Sequence, residues 1–226
     1  MIELIQLPWS PFCLVQRRIL EFADAPFKTT NIPPQDRTLV WKLTRERYYG
    51  VPILKDGKTV VFETSDYSQV IAKYIDAKFQ LGLFPRAWAG IDRILWRHVE
   101  EQIEDLCFRL NDSYFTEFVA KKGARLPALQ GTKIRRGCLD QWRAQQASMI
   151  EQLTERLMPF ELMLAERPYL VREEPHFVDF DLWGMLANFL YTGHHKFPTA
   201  HTRLHNWFGR LSKLKRADVH SEKLHP

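Results

Sequence analysis

The chain has 226 residues, 45% of them hydrophobic and 26% charged, which suits one large domain or two small ones with real cores and argues against disorder. Its net charge of +5 comes from 32 basic residues spread among 27 acidic ones, the pattern of a mixed, solvated surface; with no zinc ligand set, RNP-like strand or basic-region helix beside it, nucleic-acid binding is not expected. No apolar run approaches the roughly 18 residues of a membrane span, and the widely spaced Cys13, Cys107 and Cys138 suit a reducing cytoplasm better than a disulfide framework or a zinc site.

Met1-Ile2-Glu3-Leu4-Ile5 opens with strand-like residues, without the basic start and apolar run of a secretory signal. Ile2 to Leu7 is a first strand and Pro11 to Phe22 a first helix. Ser10 is a good N-cap there, and Pro11 fits the first helical position, where a missing N–H costs nothing. Phe27 to Ile32 reads as a second strand, broken by Pro33-Pro34, and Thr38 to Thr44 as a short helix. Val51 to Leu54 and Thr59 to Phe62 flank Asp56-Gly57, a strong hairpin signal, and Ser68 to Ile75 returns to helical spacing. The order β-α-β-α-β-β-α is that of a thioredoxin-like domain.

From about Ala77 to Ala89 the chain reads as a linker. Beyond it nearly everything is predicted helical: Ile91 to Phe118 as one long helix with Ile94, Leu95, Val99, Ile103, Leu106 and Leu110 on a stripe, then a basic loop from Lys121 to Arg136 and a second long helix from Cys138 to Ala165. Asp179 to Leu190 is apolar all round and so central. Thr202 to Leu214 is a last amphipathic helix, followed by a polar tail after Lys215.

Ser10-Pro11-Phe12-Cys13 lies where the first strand gives way to the first helix, a place where free N–H groups and a partial positive charge stabilise a thiolate. The tetrad is a C-x-x-C variant whose exposed first position is Ser, a hydroxyl able to donate to a thiolate brought by another molecule. Cys13 holds the normally half-buried second position, where inert packing outweighs a redox role; Cys107 falls on a core stripe, and Cys138 lies nearer a loop. Val51-Pro52 stands where a thioredoxin-like domain places a cis proline. Glu63-Thr64-Ser65-Asp66-Tyr67-Ser68, rich in hydroxyls and carboxylates, leads into another helix start. Gly193-His194-His195 reads as a polar loop rather than a metal site, and no metal is expected.

Trp9-Ser10-Pro11-Phe12, Val51-Pro52-Ile53-Leu54, Glu63-Thr64 and the helix from Ser68 to Ile75 together resemble the N-terminal domain of the cytosolic glutathione transferases, most closely the serine type. Pro175-His176-Phe177-Val178-Asp179 is similar to the buried helix start of that family's second domain, usually Ser/Thr-x-x-Asp. The resemblance implies an α/β thioredoxin-like domain over residues 1–78, a linker over 79–90 and an all-α domain over 91–226. It implies a cytoplasmic, homodimeric detoxification enzyme with glutathione as co-substrate, held as thiolate by Ser10 and transferred to a small hydrophobic electrophile. Phe12 would be among the glutathione-binding residues, and Val51, set by cis Pro52, would pair with the cysteinyl backbone. The γ-glutamyl end would fall to residues among Glu63, Thr64, Asp66 and Ser68. Counting forward from Pro52 selects Glu63-Thr64 and counting back from Tyr74 selects Tyr67-Ser68, which favours a mixed site with charge from Glu63 or Asp66 and the hydroxyl from Ser68.

Gly50 replaces the Lys or Gln that often precedes Val-Pro in the family, leaving Lys42, Arg45 or Arg47 for the glycyl carboxylate. Trp9, Trp96, Tyr114, Phe115 and Trp142 are candidates for the electrophile pocket. Two other readings stand beside this one: a glutathione-dependent thiol reductase or ether-cleaving enzyme with Cys13 or a bound glutathione as thiol donor, and a non-catalytic protein-binding module of the same fold.

Overall fold

A computed structural model describes residues 1–65, 68–119 and 138–221. Its first part is a four-stranded sheet with strand order β2-β1-β3-β4, made of β1 (Ile2–Gln6), β2 (Phe27–Asn31), β3 (Ile53–Asp56) and β4 (Thr59–Val61). β2 runs parallel to β1 after the crossover helix α1 (Pro11–Phe22), with Ile2 opposite Phe27, while β3 and β4 form an antiparallel hairpin that pairs Leu4 with Leu54 and Leu54 with Val61. The two-residue period of a strand sends alternate side chains to opposite faces. Leu4 and Leu54 thus join the main core under α1 and α3 (Val70–Phe79), while Ile5 and Ile53 pack with Val40 of α2 (Thr38–Thr44) on the other face.

A 3₁₀ turn, Arg86–Trp88, leads into the helical part. Here the expected helix from Ile91 to Phe118 is corrected. α4 (Ala89–His98) passes through a π turn, Val99–Ile103, into α5 (Glu104–Asp112), and a separate short α6 (Phe115–Val119) follows. The stripe holds for Val99, Ile103, Leu106 and Leu110, all buried, but Ile94 is exposed. The second long helix likewise divides at Gln145 into α7 (Cys138–Ala144) and α8 (Gln146–Met163). The polar tail begins with a further helix, α11 (Arg216–Ser221), after α10 (Thr202–Lys213). The basic loop read between Lys121 and Arg136 lies outside the described residues, as does the side chain of Cys138. Among the described residues, no helix is long and apolar enough to cross a membrane.

α9 (Phe177–Phe189) is the axis of the molecule and is buried along nearly its whole length. It lies directly against α1 because Gly184 lacks a side chain: a Cβ there would stand 2.3 Å from Val15 Cγ2 and 3.0 Å from the Pro11 carbonyl oxygen. Arg18, 2% exposed on α1, completes the junction by donating from Nε to the Leu211 carbonyl at 2.7 Å and from its terminal nitrogen to the Leu214 carbonyl. These are orphan carbonyls at the end of α10, so one buried guanidinium both caps that helix and fastens the two parts together. The α9 start is closed by Asp179, whose carboxylate accepts from the His176 N–H (2.9 Å), the Leu170 N–H (3.0 Å) and Trp207 Nε1 (3.0 Å). His176, standing where a Ser or Thr was expected, turns its ring to Asp92 of α4 at 2.9 Å.

Candidate functional site

Between the sheet domain and the helices lies a cavity of about 450 Å3. The sheet side supplies Phe12, Val51, Pro52, Glu63, Thr64 and Ser68 to its lining. The site residues read from the sequence therefore converge from three separated segments, with two exceptions. Ser10 is not part of the lining; it sits at the N-cap of α1, just behind the half-exposed Phe12. Asp66 lies outside the described residues.

The α1 start is open. Ser10 has extended backbone angles, φ −62° and ψ 127°, makes no side-chain cap and is followed by Pro11, with no acidic residue in the first turn. Its hydroxyl lies near enough to the Cys13 thiol to lower its pKa slightly. That thiol is fully buried, and burial pushes its pKa up to about 11 against the weaker pull of the Leu7 backbone and Ser10. Cys13 is therefore a packed thiol, a state that opposes a reductase reading based on it.

Across the cavity mouth the Val51–Pro52 peptide bond is cis, with Pro52 buried and Val51 half-buried on the lining. Of the three basic residues considered for a carboxylate, Arg47 lines the cavity, its guanidinium lying 5.3 Å from the Phe62 ring centre. Gly50 is required by packing: a Cβ there would meet the Tyr48 hydroxyl at 2.7 Å. Tyr48 in turn stacks on Phe62.

Glu63 and Ser68 meet directly, Ser68 Oγ donating to the Glu63 carboxylate and accepting from the Thr64 N–H at 3.1 Å. The same carboxylate accepts from the N–H groups of Val70 (2.7 Å) and Ile71 (3.0 Å) and so closes the start of α3. The helix itself begins two residues later than Ser68 because Gln69 takes a left-handed conformation, φ 52°.

The helical side of the cavity is a surprise. Besides Trp96 and Phe177 it presents Glu100, from the π turn, and Asp181, from α9. Burial, then the neighbouring Glu104, lift Glu100 to about 7. Burial, then Glu100, raise Asp181 well above the usual carboxylate range. Sequence reasoning missed both because they sit in helices that read as core. The available signal was an acid inside α9, a helix otherwise apolar on every side.

The other expected aromatics disperse. Trp9 and Phe115 pack edge to face with centres 6.4 Å apart, while Trp142 meets Phe108. Tyr114 stacks on His194 at 3.7 Å. The polar-loop reading of His194-His195 holds only for His194: His195 is buried, stacked on Phe189, and lowered in pKa by burial. Among the described residues, no group of His, Cys, Asp or Glu is arranged to hold a metal ion.

Residues 4–82 match the family model of the glutathione S-transferase N-terminal domain. No curated protein matches the sequence. Among solved structures, a glutathione S-transferase-I bound with lactoylglutathione superposes with a TM-score of 0.68 at 16% identity, over 97% of this chain and 98% of that one. Poplar glutathione transferase F1 gives 0.64 at 15% identity, over 100% and 99%. A theta-class enzyme of Xanthomonas axonopodis pv. citri, solved with glutathione bound, gives 0.65 at 18%, over 92% and 91%. At these identities the likeness is one of fold.

Proposed function

From the match of residues 4–82 to the glutathione S-transferase N-terminal domain and a fold shared over nearly the whole length, we propose that the chain is a glutathione transferase that binds glutathione in the interdomain cavity and transfers the thiolate to a small apolar electrophile. The observation that carries this reading is the uncapped start of α1 facing the cis Val51–Pro52 turn across one cavity.

In this reading the α1 N–H groups and the Ser10 hydroxyl stabilise the thiolate, which lowers the thiol pKa and raises the concentration of nucleophile. The Val51 backbone pairs with the cysteinyl unit. Arg47 meets the glycyl carboxylate, and Thr64 and Ser68 take the γ-glutamyl carboxylate through their hydroxyls. Trp96 and Phe177 give the electrophile an apolar wall, so that holding two reactants together supplies much of the acceleration. Ile91 and Ile94, exposed on α4, supply an apolar face for pairing with a second copy in a homodimer.

Calorimetric titration with glutathione tests the site, and ultraviolet absorbance of the bound thiolate tests the chemistry. Binding at submillimolar glutathione, a thiolate band at neutral pH and turnover of a small aryl halide are the expected results. Absence of binding at millimolar glutathione removes the transferase reading and leaves a protein-binding module.

A further inference from the structure

The acidic wall of the cavity has no part in the reaction as proposed. Glu100 and Asp181 come from different helical elements, yet both line the same cavity, close enough to act on one another's protonation. Two carboxylates have no hydrogen to place between them, so at least one proton belongs to the pair. Trp96 lines the cavity beside Glu100 and counts among the influences that lower its pKa. Asp181 is 3% exposed, lies on the cavity wall, and leaves its Oδ2 without a hydrogen-bond partner in the protein. A buried polar atom in that state is unfavourable, and a donor on a bound molecule removes the penalty.

The charges around the cavity say what kind of donor. Among the described lining residues, the acids are Glu63, Glu100 and Asp181, and the cation is Arg47. Glu63 is already used by two N–H groups of α3 and by Ser68. Arg47 enters from the connection between α2 and β3, whereas Glu100 and Asp181 enter from the helical domain. A ligand lying between them meets a cation on one side and unspent carboxyls on the other. The charged groups that act on the pair are Glu63, from the β4–α3 connection, and Glu104 of α5, which itself lies near Asp105 and Asp112; all are acids.

From this geometry we propose that Glu100 and Asp181 form a carboxyl pair that receives the ammonium group of an amine-bearing ligand, giving up one proton to solvent and sharing the other. The inference rests on the glutathione reading in so far as the γ-glutamyl amine is one source of that ammonium; an amine on the second substrate is the other. With Glu100 held near 7, the pair is uncharged at pH 6 and carries one negative charge at pH 8. Affinity for the ammonium then rises about tenfold across that range.

The test is calorimetry on the full chain at pH 6, in two buffers of different ionisation enthalpy, which counts protons exchanged on binding. S-methylglutathione is the probe, because it has no thiol to titrate, and its counterpart lacking the α-amine is the control. About one proton released by the first and none by the second, with the release lost in both Glu100→Gln and Asp181→Asn, is the expected result. A second arm titrates phenethylamine onto the complex with the control peptide: proton release there instead assigns the site to a second-substrate amine. Equal affinity for the two peptides with no proton release in either arm overturns the pair and leaves the glutathione reading standing. Failure of both peptides to bind overturns the glutathione reading, and the phenethylamine arm, run on the protein alone, then decides the pair. Release that persists in both variants, each shown to be folded by its melting curve, overturns the pair.

Discussion

Two helices, α1 and α3, begin beside the same cavity, and their ends are finished differently. At α3 the free N–H groups of Val70 and Ile71 are taken by the Glu63 carboxylate, which reaches them from the end of the hairpin. At α1 the N-cap residue Ser10 makes no side-chain cap, and the first turn carries no acid. A helix start whose donors are filled by the protein's own carboxylate has spent its attraction for anions, while an open one retains it. The contrast supports α1 as the place for the proposed thiolate, and gives the Glu63 carboxylate the task of closing α3.

The largest effect is expected from breaking the open end. Ser10→Ala should lower kcat/KM for conjugation by about 100-fold, the usual cost of removing one donor to a reacting anion. It should leave the melting temperature almost unchanged, because no cap bond is lost. A variant that melts several degrees lower and keeps its activity would show that Ser10 is a structural cap after all. Glu63→Ala is the opposite case. It should cost about 2 kcal/mol in urea unfolding, through two unfilled N–H groups, and Glu63→Gln should recover part of that loss. Full stability in Glu63→Ala would remove the contrast between the two helix starts.

The same contrast marks where the sequence was legible. Pro11 and Phe22 bound α1 as the sequence predicts, and Thr38 and Thr44 bound α2, because local chemistry punctuates those elements. α3 was expected from Ser68 to Ile75 but runs from Val70 to Phe79; its cap comes from Glu63, outside the window in which capping residues are sought. In the helical domain the apolar stripe continues straight through the π turn at Val99–Ile103, so hydrophobic spacing gave no sign of it. Phe12, Val51 and Pro52 were legible as cavity residues because a strand–helix junction and a hairpin entry are local features. Glu100 and Asp181 were not, because their meaning arises only when α9 packs beside the π turn.

That acid pair gives the next prediction in size. Glu100 titrates at about 7 in the folded protein against an ordinary 4.5. Its folded pKa is raised, so the stability linked to its proton is fully present below about pH 4.5 and is lost as pH rises through 7. Wild-type protein should therefore lose roughly 2 kcal/mol or slightly more between pH 5 and pH 8 from this group. Glu100→Gln, which keeps the shape and removes this titration, should make the profile shallower, with Glu104, also raised to about 7 by burial, still titrating, and should melt higher than wild type at pH 8. Parallel pH profiles for the two proteins would show that the carboxyl is not held protonated by the fold.

The smallest expected effect is at Cys13, one turn along α1 from the open end. Its thiol is fully buried with a pKa near 11, so only about one molecule in a thousand is a thiolate at pH 8. Cys13→Ala removes a buried sulfur and should cost about 1 kcal/mol of stability, with conjugation unchanged. The neighbouring hydroxyl sharpens the point: Ser10 loses the thiol beside it in this variant, and its hydroxyl is then spent on the cavity alone. A modest rise in thiolate absorbance at fixed glutathione is the result that the open helix start requires. Loss of a glutathione-dependent reductase activity would instead mean that the thiol becomes exposed during turnover, and that the chemistry of α1 belongs to the cysteine rather than to the serine that precedes it.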